Sequence, residues 1–146
     1  MKISTKGRYG ARAALELALR YGMGPVMVRE LAESQDISER YLEQILNTLR
    51  TAELVKSTRG ARGGYELTRD PSEITIGEII RALEGPMDVV PCILECDYGK
   101  RAECVTCYIW QEVTEAIEKV MDAVTLKDMI ERHRKLGQKK VIDYHI

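Results

Sequence analysis

Apolar positions recur along this chain with a helical period, give way to two short runs rich in β-branched and aromatic residues, and then return to a helical period. Ser4 and Thr5 can cap a first helix that the pattern carries to about Tyr21, with Tyr9, Ala13, Ala14, Leu17 and Ala18 on one side and Gly22, Gly24 and Pro25 ending it. A short helix is predicted from about Val28 to Ser34, followed by the polar turn Gln35 and Asp36. Ser38 then caps a third helix over 38–52. Ile37 before that cap and Leu42 after it have the spacing of a hydrophobic staple, which fixes how the chain enters the helix. Tyr41, Leu42, Ile45, Leu46 and Leu49 share one face; Glu39, Arg40, Glu43, Gln44, Asn47 and Thr48 form the other.

Two short runs rich in β-branched and aromatic residues, Leu54 to Thr58 and Tyr65 to Thr68, flank Arg59-Gly60-Ala61-Arg62-Gly63-Gly64. They predict a β-hairpin with a basic, glycine-rich tip. Ile74 to Leu83 reads as a helix turning Ile76, Ile79, Ile80 and Leu83 inward, stopped by Gly85 and Pro86, and an irregular loop is expected from Pro86 to about Glu103. Ile109, Val113, Ala116, Ile117, Val120 and Val124 then line a long helix opposite Gln111, Glu112, Glu115, Glu118, Lys119 and Asp122, a stripe that needs a partner surface. Thr125 caps a last short helix to about Leu136, and a polar tail is expected from Gly137. The predicted fold is mainly α with a small β-hairpin: a winged helix-turn-helix over 1–84, a cysteine-rich loop over 85–107, and a long dimerisation helix with a short helix and tail over 108–146.

Charge changes this picture only in its distribution. The 146 residues carry a formal net charge of −1, so no overall basic field points to a nucleic acid. Residues 1–70, however, hold 12 Lys and Arg against 9 Asp and Glu, and the remainder hold 10 against 14, which makes the first half the candidate for a polyanion. The apolar stretch from Ala13 is broken by Glu16 and Arg20, and no window approaches the ~18 apolar residues of a spanning helix. A cytoplasmic protein without a membrane role is expected.

The order of elements suits double-stranded DNA. A helix in the major groove needs donors and acceptors near its N-terminal end, and Ser38, Arg40, Tyr41, Glu43, Gln44 and Asn47 lie there, with arginine suited to guanine, an amide to adenine and a carboxylate to cytosine N4. The wing needs backbone that can approach phosphates and a slender cation for the minor groove, supplied by Gly60, Gly63, Gly64, Arg59 and Arg62.

Cys92, Cys96, Cys104 and Cys107 fall within 16 residues, dense enough for one four-coordinate centre. Zinc and an iron-sulfur cluster both accept four thiolates, and a thiol switch uses the same residues. The irregular first spacing, inside a loop with Glu95, Asp97 and Glu103, leans toward a cluster. Cys104 and Cys107 stand where the long helix begins, an end that favours thiolates. His133 belongs to a solvated basic run, His145 to the terminus, and Trp110 to packing beside the loop. Tyr108 stands where covalent haem attachment needs histidine, and no phosphate loop, dinucleotide fingerprint or serine elbow is present, so no enzyme and no small-molecule substrate is expected.

The opening Met1-Lys2-Ile3-Ser4-Thr5-Lys6-Gly7-Arg8-Tyr9-Gly10, the run from Ile37 to Leu46, the wing Arg59 to Tyr65, and Cys104-Val105-Thr106-Cys107 followed by Trp110 resemble the Rrf family of bacterial transcriptional regulators over nearly the whole chain. The resemblance implies promoter binding as a homodimer joined through the long helix, with an iron-sulfur cluster tuning it. 2Fe-2S is the first choice of cluster and 4Fe-4S the second; a DNA-binding repressor with structural zinc or a thiol switch, and an iron-sulfur electron-transfer protein, are the alternatives. Two departures stand out. Cys107 occupies the place of a histidine ligand in one branch, and Arg8 the place of an acidic one in another. An all-cysteine set should lower the reduction potential.

Overall fold

A computed structural model describes residues 1–90 and 104–143. Its elements are α1 (Thr5–Leu19), α2 (Val28–Gln35), α3 (Glu39–Thr51), β1 (Val55–Thr58), β2 (Gly64–Leu67), a 3₁₀ turn (Pro71–Glu73), α4 (Ile76–Glu84), α5 (Val105–Asp122) and α6 (Leu126–Asp143). The fold is mainly helical with one antiparallel hairpin.

Ser4 caps α1 by accepting from the Gly7 amide at 3.2 Å. The helix ends at Leu19, two residues before the expected Tyr21, because Arg20 and Tyr21 donate instead to Leu17 and Ala18 at 3.2 Å in tightened turns. Asp36, at φ 54°, turns the chain between α2 and α3, and Ile37 donates back to the Ala32 carbonyl at 3.1 Å. The Ser38 hydroxyl accepts from the Tyr41 amide at 3.1 Å, as the cap pattern requires. Leu42, Ile45, Leu46 and Leu49 are all fully buried against Leu17, Leu31 and Ile74 in one core.

In the hairpin, Val55 pairs with Leu67, Lys56 with Glu66, Ser57 with Tyr65 and Thr58 with Gly64. Val26 extends it through a bridge to Tyr65, closed by hydrogen bonds of 2.8 and 2.9 Å. The wing is therefore fixed to the segment that opens α2.

Two expectations need correction. The predicted helix over Ile74 to Leu83 begins only at Ile76, where Thr75 and Glu78 form a reciprocal capping box. The 3₁₀ turn precedes it, Ile74 is the fully buried residue, and Ile76 is only half-buried. The final helix is not short: α6 runs through Gly137 to Asp143. One glycine costs about 1 kcal/mol in a helix, and the flanking Lys135, Leu136, Gln138, Lys139 and Lys140 are helix formers that outweigh it.

Thr125 and Asp128 cap the start of α6, and Leu126, fully buried, donates to Ile74 at 2.9 Å, so the C-terminal helices dock on the start of α4. Arg81 and Asp122 pair across α4 and α5. By contrast, α5 leaves an apolar row open, with Ile109 48%, Val113 38% and Val120 66% exposed. No helix among the described residues is long and apolar enough to cross a membrane.

Candidate nucleic-acid interface and cysteine site

The outward face of α3 carries Arg40, Glu43, Gln44 and Asn47, all exposed, while the opposite face is pinned in the core. A helix with one face immobilised in this way holds its other face rigidly. Arg40, Glu43 and Gln44 make no side-chain hydrogen bond or ion pair within the described residues, so their polar groups are available to base edges. Asn47 is different: its Oδ1 accepts from the Tyr65 hydroxyl at 3.4 Å, which ties the recognition helix to the wing. Arg50 adds a second tie, donating to Ser57 Oγ at 3.2 Å. Ser38 is engaged as the helix cap, and Tyr41 is half-buried edge-on to Tyr9, with ring centroids 6.2 Å apart and planes at 84°.

At the wing tip Arg59 and Arg62 are exposed. Gly60 has φ 115° over open space, so its freedom serves the turn. Gly63 and Gly64 owe their identity to the chain's own backbone. A Cβ on Gly63 would overlap the Thr58 carbonyl; one on Gly64 would overlap the Val26 carbonyl oxygen and stand 2.5 Å from its carbon.

A residue that the hydrophobic pattern does not single out is linked through Tyr9 to the start of α3. Arg12 places its guanidinium carbon 5.4 Å from the centroid of Tyr9, the ring that abuts Tyr41. The available signal was an arginine pair at i and i+4, Arg8 and Arg12, with no acid among the intervening residues.

Cys104 and Cys107 come together at the start of α5, with Sγ atoms 2.8 Å apart and both residues partly buried. Hydrogen bonds from Cys107 and Thr106 lower the Cys104 thiol to about 7, toward the thiolate that a metal ligand must be. Two convergent thiols at a helix start, that of Cys104 acidified, supply two candidate thiolate ligands. Cys92 and Cys96 lie outside the described residues. Among the described residues no group of three or more His, Cys, Asp or Glu could hold a metal ion. Upstream, the Val89 amide donates to Thr114 Oγ1 at 3.3 Å, and Ser4 donates to the Glu84 carboxylate, so α1 is tied to the end of α4 and α5 to the segment that follows it.

Comparison with known proteins places this geometry. A family model, Rrf2, described as an iron-dependent transcriptional regulator, matches residues 3–132. The HTH-type transcriptional regulator CymR of Bacillus subtilis is 45% identical over 129 residues, covering 88% of this chain and 89% of that protein. The HTH-type transcriptional regulator IscR of Sodalis glossinidius is 39% identical over 132 residues, covering 89% and 79%. Among solved structures, CymR, titled the global cysteine regulator of B. subtilis, superposes with a TM-score of 0.75 at 44% identity over 90% of this chain and 98% of that one. T. potens IscR gives 0.74 at 44%, over 91% and 88%.

Proposed function

Because the chain belongs to the Rrf2 family of transcriptional regulators, we propose that it binds promoter DNA as a homodimer and that Cys92, Cys96, Cys104 and Cys107 hold an iron-sulfur cluster governing that binding. The observation that carries the reading is the rigid outward face of α3, with Arg40, Glu43 and Gln44 unpaired, set beside a wing that presents Arg59 and Arg62. The three α3 side chains read base edges in the major groove; the wing arginines enter the minor groove or grip phosphates.

The open row Ile109, Val113, Ala116 and Val120 recurs at intervals of four and three, the spacing with which one helix packs on another. A second copy covering it brings two recognition helices to half-sites about one helical turn apart. The cluster, when bound, supplies a reversible one-electron change and can be lost altogether; 2Fe-2S is the first choice and 4Fe-4S the second. This chain's residues transmit that state. The cysteine segment departs from α4 beside the Ser4–Glu84 and Val89–Thr114 contacts and rejoins α5 at Cys104, so a change there shifts α5 relative to α1 and the paired recognition helices.

The 2.8 Å approach of Cys104 and Cys107 favours a second reading, in which these thiols form a disulfide switch without a cluster. Protein purified without oxygen separates the two. The cluster reading predicts a brown protein containing iron and sulfide, which Cys107→Ala depletes while helical circular dichroism persists. A colourless protein without iron, whose DNA affinity changes when Cys104 and Cys107 are oxidised, establishes the switch. One tightly held zinc per chain would instead make the site structural.

A further inference from the structure

We propose that Arg12 is a phosphate contact, anchoring the DNA backbone beside the N-terminal turn of the recognition helix, with Tyr9 as its positioning residue. The proposal rests on the reading of α3 as the DNA-facing helix and adds a contact from outside the helix-turn-helix.

Charge pairing on the protein supplies the first argument. Among the described residues, Arg20, Arg29, Lys56, Arg69 and Arg81 each have a carboxylate within 3.3 Å. Arg8 and Arg12 have none, as is also true of Arg40, Arg50, Arg59 and Arg62 on α3 and the wing; Arg8 donates only to Thr5 Oγ1, at 3.3 Å. Two like charges at i and i+4 on an exposed helix face disfavour the helix by a few tenths of a kcal/mol, a cost that an anionic partner reverses.

Placement is the second argument. The Arg12 guanidinium lies over the Tyr9 ring, Tyr9 meets Tyr41 edge-on, and Tyr41 is the residue whose amide the Ser38 cap receives. This stack links the guanidinium through Tyr9 to Tyr41, in the first turn of α3. A guanidinium stacked on an aromatic face keeps its N–H edge free for the oxygens of a phosphate, and is held with less loss of freedom on binding than a free side chain.

In helix-turn-helix proteins the helix before the recognition helix crosses the backbone, yet here the one arginine of α2, Arg29, is engaged by Glu33 at 3.0 Å, and Glu30 faces Arg20 at 2.7 Å. With the single cation of α2 paired to Glu33, Arg12 on α1 is a cation without a carboxylate partner that lies near the start of α3.

The test is a titration of the full-length protein against a selected operator duplex and an unrelated duplex of equal length, at several salt concentrations. Arg12→Ala is expected to weaken binding to both duplexes alike and to reduce the slope of log affinity against log salt by about 1. Arg12→Lys should keep most of the slope. Tyr9→Phe should behave as wild type, whereas Tyr9→Leu should weaken binding without adding to Arg12→Ala, since both act on the same phosphate anchor. Circular dichroism of each variant confirms the fold.

An unchanged slope for Arg12→Ala overturns the proposal while leaving α3 and the wing as the DNA interface. A loss confined to the selected operator overturns it by making Arg12 a base reader. Altered dimer dissociation with unchanged DNA binding overturns it by assigning Arg12 to a protein carboxylate. Wild-type protein that binds neither duplex removes the underlying reading as well, and that result is visible before any variant is made.

Discussion

Gly64→Ala separates two roles for the wing glycines. A backbone that must approach DNA closely and a backbone that must approach its own protein both favour glycine, but they fail differently. At Gly64 the added methyl would overlap the Val26 carbonyl oxygen and stand 2.5 Å from its carbon and 2.9 Å from the Met27 nitrogen, all backbone atoms that cannot rotate away. Relief requires β2 to move off Val26, which breaks the bridge whose two hydrogen bonds measure 2.8 and 2.9 Å. Overpacking costs roughly 1–3 kcal/mol, and two backbone hydrogen bonds contribute about 1 kcal/mol each. The expected loss is therefore about 3–5 kcal/mol, a large part of the ~5–15 kcal/mol that typically stabilises a domain. For a chain of this length that corresponds to a fall in midpoint of roughly 10 °C. The assay is thermal unfolding at fixed protein concentration, alongside DNA titration at a temperature where the variant remains folded. An unchanged midpoint with impaired DNA binding would refute the structural assignment and return Gly64 to the DNA-contacting surface.

Arg59→Ala and Arg62→Ala should each weaken binding on all sequences and flatten the salt dependence by a slope of about 1 for each phosphate left without its cation, read by anisotropy over a salt series. Glu43→Ala should relax discrimination by roughly 1–3 kcal/mol at one base pair without a matching loss of general affinity; equal weakening across single-base operator variants would remove Glu43 from the base readers. Glu78 tests the helix-cap electrostatics. Burial pushes its carboxyl up, but the Thr75 amide and Arg69 together hold it below the ordinary glutamate value. A depressed folded pKa contributes stability above the unfolded glutamate pKa, and that stability is lost as pH falls through the folded value. Glu78→Gln should therefore lower stability at neutral pH and flatten the acid side of a denaturation-against-pH curve. A wild-type acid limb in that variant would contradict the assignment.

The elements most legible in the sequence were those in which local chemistry and burial agree. The Ile37 and Leu42 staple, the Ser38 cap and the inward row from Leu42 to Leu49 specify α3 to within a residue, and the β-branched and aromatic runs around Val55 and Tyr65 place both strands nearly as well. Where tertiary contact overrides local signals, the pattern fails. Ile74 lies in the core because Leu126 donates to its carbonyl, a contact 52 positions away, and Ile76 is displaced accordingly. Gly137 reads as a helix stop, yet no left-handed turn forms there and good helix formers continue on both sides. At the surface proposed to face DNA the residue types were readable but their engagements were not. Asn47 reaches the wing through Tyr65, and Gly63 and Gly64 answer to Thr58 and Val26. Such pairings join residues distant in sequence, and spacing carries no trace of them.

The central claim is best tested by selecting from a random duplex pool with full-length protein prepared without oxygen, and then titrating the enriched site before and after iron removal. The account predicts an inverted repeat with half-sites about one helical turn apart, a steep salt dependence, and an affinity that changes when iron is removed. Failure to enrich any sequence would contradict the assignment of α3 and the wing to DNA, and an affinity indifferent to iron would contradict control by a cluster at Cys92, Cys96, Cys104 and Cys107.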